Sequence, residues 1–235
     1  NQLPYVRGLR EQVDNVGTYP PGHYYSPIPN RQQICERLEF LKGERSDLPG
    51  VNLNKDKQLD LLRRLQPFYK ELPFSEEKTP TSRYYFNQSV FCYADAVFLY
   101  SFLRLVQPAR IIEVGSGFSS AVMLDTVERF FSNRPAMTFI EPYPDGLKKL
   151  LRPEDRRNVT VIEDRVQKVS IDRFAELQDG DFLFIDSSHV MKCGSDLQYL
   201  LFDVIPRLPV GVFVHFHDIF DGFEYPSDWL MKGWY

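Results

Sequence analysis

Residues 110–120, Arg-Ile-Ile-Glu-Val-Gly-Ser-Gly-Phe-Ser-Ser, join a short apolar run to a glycine-rich turn and then to a helical pattern. Gly115 and Gly117 allow the backbone to turn sharply and to approach a ligand closely, which a β-carbon would hinder. Ser119 or Ser120 can cap the helix that follows, and the free N–H groups at a helix start suit a polar ligand. The stretch therefore predicts a strand, a ligand-binding turn and a helix.

Apolar runs and helical patterns alternate from residue 110 onwards. The apolar runs cover residues 111–112, 137–140, 159–162, 182–185 and 210–216, and the helical patterns cover residues 119–132, 145–151, 170–177 and 193–205. Short strands that alternate with helices are typical of a parallel sheet with helices on both faces. We therefore predict an α/β fold with a doubly wound, Rossmann-like, mostly parallel sheet.

The segment before this alternation has a different character. Residues 1–30 contain five prolines and four tyrosines, which predicts a loop-rich arm because proline interrupts helices and most strand pairing. Apolar residues at helical spacing predict helices over residues 31–41, 55–72 and 89–105. We assign residues 1–83 to an N-terminal extension, serving as a lid or as surface packing, and residues 84–235 to a ligand-binding domain.

The composition excludes several classes of function. The net charge of −4 and the lack of clustered Lys and Arg argue against a nucleic-acid partner. Cys35, Cys92 and Cys193 are too widely spaced for a disulfide framework, so we expect reduced thiols in a cytoplasmic protein. The longest apolar stretch contains Asp95 and Arg104, which favours a buried helix over a membrane span.

Each predicted strand ends in an acid or another polar group. These groups are Glu113, Glu141, Glu163-Asp164, Asp186-Ser187-Ser188-His189 and His215-Phe216-His217-Asp218. Ligands of open parallel sheets bind beyond the carboxyl ends of the strands, so these residues are the candidate site. An acid after the second strand suits the ribose hydroxyls of a nucleotide-like cofactor, which fits NAD as well as S-adenosylmethionine.

Three details favour S-adenosylmethionine over NAD. The turn lacks a third glycine at the usual dinucleotide position, where Phe118-Ser119-Ser120 stands. Glu113 can face the positive amino and sulfonium end of S-adenosylmethionine. The acids Glu163-Asp164 suit the amino group of adenine. The sequence also has no clear Tyr-x-x-x-Lys pair of an NAD-dependent oxidoreductase, although that activity stays an alternative.

Three segments of the chain resemble the motifs of class I S-adenosylmethionine-dependent methyltransferases. They are Glu-Val-Gly-Ser-Gly-Phe-Ser-Ser (113–120), Phe-Ile-Asp-Ser-Ser-His-Val (184–190) and His-Phe-His-Asp-Ile-Phe (215–220). The greatest likeness is to the bacterial small-molecule O-methyltransferase-like group, which is related to macrocin- and catechol-type enzymes. The resemblance covers roughly residues 84–230 and is more specific for cofactor and fold than for substrate.

The resemblance implies roles for individual residues. Glu113, Gly115, Ser116, Gly117, Ser119 and Ser120 would hold the methionine part of the cofactor, Glu141 and Asp186 would contact it, Glu163 and Asp164 would lie near adenine, and Tyr85 to Asn87 would border it. The family's sheet ends in an antiparallel hairpin, for which few residues follow Asp218. We therefore expect either a C-terminally truncated chain or another element over that edge, and an uncovered edge would favour a homo-oligomer.

Asp186 and Asp218 end predicted neighbouring strands, where two carboxylates would suit Mg²⁺. In catechol-type relatives a metal in that place orients two substrate hydroxyls and lowers the pKa of the one attacked. His217 or His189 could complete the site and shift its preference towards Zn, Mn or Fe. The alternative is that Asp186 contacts only the cofactor and that His217 is a hydrogen-bonded core histidine.

His189 is the candidate catalytic base, because a neutral imidazole can take a hydroxyl proton near neutral pH. Lys192, one helical turn later, would hold an anion, and Asp186 would complete the catalytic set. The alternatives are a helix cap for His189 and a solvated charge for Lys192. We expect His215 to point away from His217 and to be structural.

The sequence thus predicts an S-adenosylmethionine-dependent O-methyltransferase. Its partner would be a small hydroxylated acceptor, such as a sugar or a secondary metabolite, with neither a nucleic acid nor a membrane involved. A cofactor-binding domain without catalysis, serving in assembly or regulation, is the main alternative.

Overall fold

The computed structural model describes residues 19–41, 49–220 and 223–234. The chain divides into two compact units, one formed by residues 1–52 with 219–235 and the other by residues 53–218. The helices are α1 (Arg31–Leu41), α2 (Lys55–Leu65), α3 (Tyr93–Val106), α4 (Phe118–Phe130), α5 (Asp145–Leu150), α6 (Ile171–Ala175), α7 (Asp196–Tyr199) and α8 (Ser227–Lys232). Short 3₁₀ segments follow α2 and precede the third and fifth strands, and a π-helical turn extends α7.

A five-stranded parallel sheet forms the centre of the larger unit. Its strands are β1 (Arg110–Val114), β2 (Ala136–Ile140), β3 (Val159–Ile162), β4 (Phe182–Ile185) and β5 (Phe213–Phe216). The strand order is β3-β2-β1-β4-β5, and every neighbouring pair is parallel. The order changes direction at β1, so the carboxyl ends of β1 and β4 flank a crevice of the kind in which such sheets bind ligands. The predicted α/β, doubly wound parallel fold is confirmed.

Apolar side chains cover both faces of the sheet, which explains why the strands appear in the sequence as continuous apolar runs. On one face Ile111, Phe139 and Phe184 belong to a core with residues of α2, α3 and α4. On the other face Ile112 and Ile185 belong to a second core with residues of α6 and of the segment after α7. The alternation along each strand therefore divides the apolar residues between two layers.

Two of the predicted boundaries that are wrong have a visible cause in the structure. The fifth strand begins at Phe213 rather than at residue 210, because Val210 is 95% exposed and Gly211 has a φ of +91° that a strand does not allow. The long helix begins at Tyr93 rather than at Ser89, because the side-chain oxygen of Gln88 accepts the N–H groups of Val90 and Phe91 and holds a turn there.

A buried arginine ties the segment before α3 to the sheet domain. The guanidinium group of Arg83 donates to Asp125 on α4 at 2.6 Å, to Asp155 at 2.6 and 2.7 Å and to Glu128 at 2.7 Å. The side chains of Arg83, Asp125 and Asp155 are almost completely buried. This cluster positions the residues that follow Arg83, among them Tyr85, whose ring packs edge-on against Phe118 at 5.6 Å.

The smaller unit contains α1 and α8. Arg37 of α1 forms an ion pair with Glu224 at 2.8 Å, and Trp229 of α8 packs against Phe220 and Trp234. Most of the predicted arm, residues 1–18, lies outside the described residues. Helix α2 belongs to the same compact unit as the sheet. The functional boundary that we expect between residues 83 and 84 stays a prediction. Among the described residues, no helix is both long enough and apolar enough to cross a bilayer.

Candidate functional site

A cleft of about 380 Å³ opens at the carboxyl ends of β1, β2 and β4. It is lined by Val114, Gly115, Ile140, Glu141, Pro142, Arg165, Val166, Gln167, Asp186, Ser187, Ser188, Lys192, Gly194, Ser195 and Asp196. Gly115 has a φ of +82°, and a β-carbon there would lie 1.6 Å from the carbonyl oxygen of Asp186. Glycine is therefore required where β1 turns past β4, whereas a β-carbon on Gly117 would meet no atom within 4 Å.

Glu113 lies inside β1 and is completely buried. The Ser119 hydroxyl donates to Oε1 at 2.6 Å and the Ser120 hydroxyl donates to Oε2, so both carboxyl oxygens have partners. Burial raises the pKa of Glu113 to about 8, although these two hydrogen bonds act in the opposite direction. The carboxyl thus holds the start of α4. The predicted cofactor contacts of Glu113, Ser119 and Ser120 remain predictions.

The predicted helix cap is present in part. Helix α4 begins at Phe118, one residue earlier than predicted, and the Ser120 hydroxyl accepts the N–H of Gly117 at 3.0 Å. The Ser119 hydroxyl instead donates to the buried carboxyl group of Glu113.

Glu141 connects the end of β2 to the glycine turn. Its carboxylate accepts the N–H of Ser116 at 3.0 Å and the N–H of Tyr143 at 2.8 Å. Each carboxylate oxygen can accept more than one hydrogen bond, so these contacts leave capacity for ligand hydroxyls. The structure therefore brings Gly115, Glu141 and Asp186 to one cleft, as the sequence predicted.

The acids after β3 are placed differently. Glu163 pairs with Lys148 at 2.7 Å and Asp164 pairs with Lys168 at 3.3 Å, and neither lines the cleft. The three residues that follow, Arg165 to Gln167, line it instead. The sequence analysis did not identify these three residues, because only the acids Glu163 and Asp164 were selected after the third strand.

A cluster of metal-ligating side chains lies at the adjoining ends of β4 and β5. Asp186, His217 and Asp218 each offer one ligand atom, and these atoms all lie within 4.8 Å of one another. The register pairs Ile185 with Phe216, which places Asp186 beside His217. All three side chains are partly buried. The predicted set of potential metal ligands is therefore brought together.

His189 lies against the same cluster. Its Nε2 atom is 3.3 Å from Asp186 Oδ1 and 3.6 Å from Asp218 Oδ2. The hydrogen bond with Asp186 raises the pKa of His189 against the opposing effect of burial. Lys192 lines the cleft on the far side of the turn after β4, where its backbone N–H donates to Ser195. The structure thus joins His189 to Asp186, and places Lys192 at the cleft.

One further acid beside this cluster escaped our sequence assignment. Asp95 lies in the first turn of α3, and burial raises its pKa, as do the charges of Asp218 and Asp186, whereas His217 lowers it. Asp95 therefore interacts electrostatically with the cluster. Its one sequence signal is an acid near the start of a largely apolar helix.

The expected orientation of His215 is wrong. The rings of His215 and His217 are 5.8 Å apart, because residues two apart in a strand share a face. His215 stacks on Phe184 at 4.6 Å, and burial lowers its pKa to about 4. Its Nε2 atom is buried without a hydrogen-bond partner among the described residues. A neutral packing residue fits these observations, and the structural role stays a prediction.

Known proteins with similar sequences and folds were found. A family described as a methyltransferase domain matches residues 112–219. An uncharacterised protein of Archaeoglobus fulgidus is 36% identical over 176 residues, which are 72% of this chain and 79% of that protein.

Two solved structures superpose on the fold with low TM-scores. A methyltransferase from Geobacter sulfurreducens has a TM-score of 0.34 and 17% identity, covering 73% of this chain and 72% of that one. A putative protein-L-isoaspartate O-methyltransferase from Plasmodium falciparum, in complex with S-adenosyl-L-homocysteine, has a TM-score of 0.36 and 16% identity, covering 81% and 86%. The assignment therefore rests on the sequence matches, the strand order and the glycine turn. The chain belongs to the methyltransferase-domain family that its residues 112–219 match.

Proposed function

We propose that this protein transfers a methyl group from S-adenosylmethionine to a hydroxyl oxygen of a small acceptor, with a divalent cation at the acidic cluster. One observation carries the proposal. Asp186 lines the cleft beside the glycine turn and also belongs to the cluster with His217 and Asp218. A methyl donor in the cleft and an acceptor at the cluster would therefore be neighbours.

The cleft has the chemistry that S-adenosylmethionine requires. Glu141 offers carboxylate oxygens for ribose hydroxyls, and Gly115, which has no side chain, would let a ligand approach the backbone of the turn. Arg165 to Gln167 would border the base instead of the predicted Glu163 and Asp164. When bound, S-adenosylmethionine supplies an electrophilic methyl group on a positively charged sulfur.

The cluster has the chemistry that a divalent cation requires. Two carboxylates and one imidazole form a mixed oxygen and nitrogen donor set, which accommodates Mg²⁺ and is better suited to Mn²⁺, Fe²⁺ or Zn²⁺. A bound cation would supply Lewis acidity that favours the ionised form of an acceptor hydroxyl. Asp186, His217 and Asp218 would hold it, and Asp95 adds negative charge nearby.

His189 is the residue in position to accept a proton. The acceptor oxygen gains the methyl group as the bond between that methyl group and sulfur breaks. The hydroxyl proton passes to Nδ1 of neutral His189 or to solvent, because Nε2 holds the proton that it donates to Asp186. Positioning of the two reactants and partial exclusion of water are then the protein's main contributions. Lys192, at the cleft, would hold an anionic part of a ligand.

The test separates cofactor binding, metal binding and turnover. Calorimetry with S-adenosylmethionine and its demethylated product should show binding that Gly115→Ala abolishes, whereas Asp164→Asn, outside the cleft, should leave it unchanged. Asp218→Asn should reduce bound Mn²⁺ and turnover together. Absence of cofactor binding by the folded chain would refute the proposal, and unchanged metal content and turnover in Asp218→Asn would refute its metal part.

The same variants distinguish the alternatives. A domain that binds the cofactor without catalysis would show no transfer to any acceptor, and His189→Ala would not alter its cofactor affinity. An NAD-dependent oxidoreductase would quench or enhance nicotinamide fluorescence on titration with NADH. Cofactor binding with methyl transfer that falls in His189→Ala would exclude both.

A further inference from the structure

A second cleft opens at the opposite edge of the sheet, at the amino ends of β1, β2 and β3. Its volume is about 230 Å³, and it lies between these strands and the end of α6. Its lining residues include Arg110, Arg157 and Arg173, with Glu176 as the one lining acid among the described residues. The distance to the first cleft is roughly 13 Å, four residue steps of about 3.3 Å along a strand.

Three arginines from three separate elements line this cleft. Arg110 begins β1, Arg157 ends the 3₁₀ turn before β3, and Arg173 belongs to α6. The cleft therefore carries three positive charges and one negative charge in a chain whose net charge is −4. Charges of one sign in a concave site attract the opposite ion.

The pairing of these arginines within the protein is incomplete. Arg110 contacts Asp181 at 3.3 Å and Arg173 contacts Glu176 at 3.0 Å, each through Nη1 alone. Arg157 makes no side-chain hydrogen bond or ion pair with any part of the chain that the structure describes. Each guanidinium group has five N–H donors, so most of the donors in the cleft remain available.

The floor of the cleft is polar where its surroundings are apolar. Thr138 and Thr160 are direct partners in the β2–β3 register, and both line the cleft. Thr138 is 8% exposed, and it stands on the strand face that Ile112 and Ile140 fill with apolar side chains. Neither threonine hydroxyl has a hydrogen-bond partner in the described ranges, so both can donate to a ligand.

We propose that this cleft binds a small polyanion that carries phosphate or carboxylate groups. Arg110, Arg157 and Arg173 hold its charged oxygens, since guanidinium groups form paired hydrogen bonds with both groups. The threonine hydroxyls donate to the part of the ligand that reaches the floor. Glu176 limits the affinity because its charge repels the ligand.

The test uses the whole chain, treated with EDTA, and calorimetry at constant ionic strength with pyrophosphate and with citrate. Arg157→Gln should weaken binding by about tenfold or more, the loss expected for a charged hydrogen bond. Arg156→Gln is the matched control, because Arg156 is exposed, neighbours Arg157 and does not line the cleft. Glu176→Gln should strengthen binding severalfold.

The outcomes separate the possibilities. If pyrophosphate binds more tightly than citrate, the ligand carries phosphate groups. If citrate binds more tightly than pyrophosphate, the ligand carries carboxylate groups. Equal weakening by Arg157→Gln and Arg156→Gln, or no binding of either anion at millimolar concentration, overturns the proposal. If Arg157→Gln does not fold, Glu176→Gln decides, since unchanged affinity in that variant also overturns it.

Discussion

Replacing Glu113 with glutamine should remove a large pH dependence from the stability of the fold. The carboxyl is completely buried, and its pKa is about 8 in the folded chain against 4.5 for an ordinary glutamate. A carboxyl with a raised folded-state pKa stabilises the fold fully below pH 4.5. That contribution is lost as the pH rises from 4.5 through 8, because the unfolded chain releases this proton readily, whereas the folded chain must keep it or bear a buried charge.

The magnitude follows from the two pKa values. A pKa difference of one unit between the folded and unfolded chain corresponds to about 1.4 kcal/mol. The rise in the pKa of Glu113 from 4.5 to about 8 therefore corresponds to roughly 5 kcal/mol at most. Glutamine resembles the protonated carboxyl, since its oxygen can accept from Ser119 and its amide can donate to Ser120. Glu113→Gln should therefore match the wild type near pH 5 and exceed its free energy of unfolding by a few kcal/mol at pH 8.

The assay is urea denaturation of both proteins at several pH values between 5 and 8. The difference between the two free energies of unfolding isolates Glu113, because all other titrating groups are shared. Glu154→Gln, at an exposed position, provides the control and should parallel the wild type. Parallel curves for Glu113→Gln and wild type would show that the buried carboxyl is already ionised in the folded chain, which would refute the reasoning.

Three further predictions concern the domain and its candidate site. Arg83→Met should lower the free energy of unfolding by about 3–5 kcal/mol in urea denaturation, because its carboxylate partners stay buried without a counter-charge; a loss below 1 kcal/mol would contradict this. Gly115→Ala should destabilise the fold and abolish cofactor binding, whereas Gly117→Ala should leave the melting temperature unchanged, and equal effects would contradict the geometry. Asp218→Gly should raise stability by about 1 kcal/mol, by relieving a φ of +56°, and abolish Mn²⁺ binding in calorimetry; retained binding would argue against the cluster as a metal site.

The sheet could be predicted because local sequence controls it. The three central strands, β1, β2 and β4, are buried along nearly their whole length, and such strands appear as apolar runs in the sequence. The boundaries that failed depend on particular contacts. The fifth apolar run includes Val210, whose exposed position follows from the conformation of Gly211, and the start of α3 depends on the side chain of Gln88.

Only those residues of the candidate site that follow a strand could be predicted from the sequence. Glu141 and Asp186 follow strands directly and Asp218 follows β5 after one residue, so parallel topology alone brings them to one edge. Asp95 reaches the cluster through the packing of α3 on the sheet, where Phe91 of the preceding segment contacts Phe184. Arg165 reaches the cleft through the turn after β3. The spacing of residues in the sequence does not predict either position, because both depend on how helices and turns pack against the sheet.

The backbone conformation at His189 and Asp218 indicates that their side chains have a role beyond allowing the chain to turn. His189 and Asp218 have φ values of 58° and 56°, in the left-handed region that costs a residue with a β-carbon about 1 kcal/mol or more. Gly115, at the neighbouring turn, shows that the chain uses glycine where a β-carbon would collide. At His189 and Asp218 it instead carries an imidazole and a carboxylate in strained conformations, with the two groups 3.6 Å apart. Strain of this kind persists where surrounding contacts hold it, and here those contacts are the groups that would bind a cation and accept a proton. A rule that expects glycine or asparagine in left-handed turns would therefore overlook these two positions.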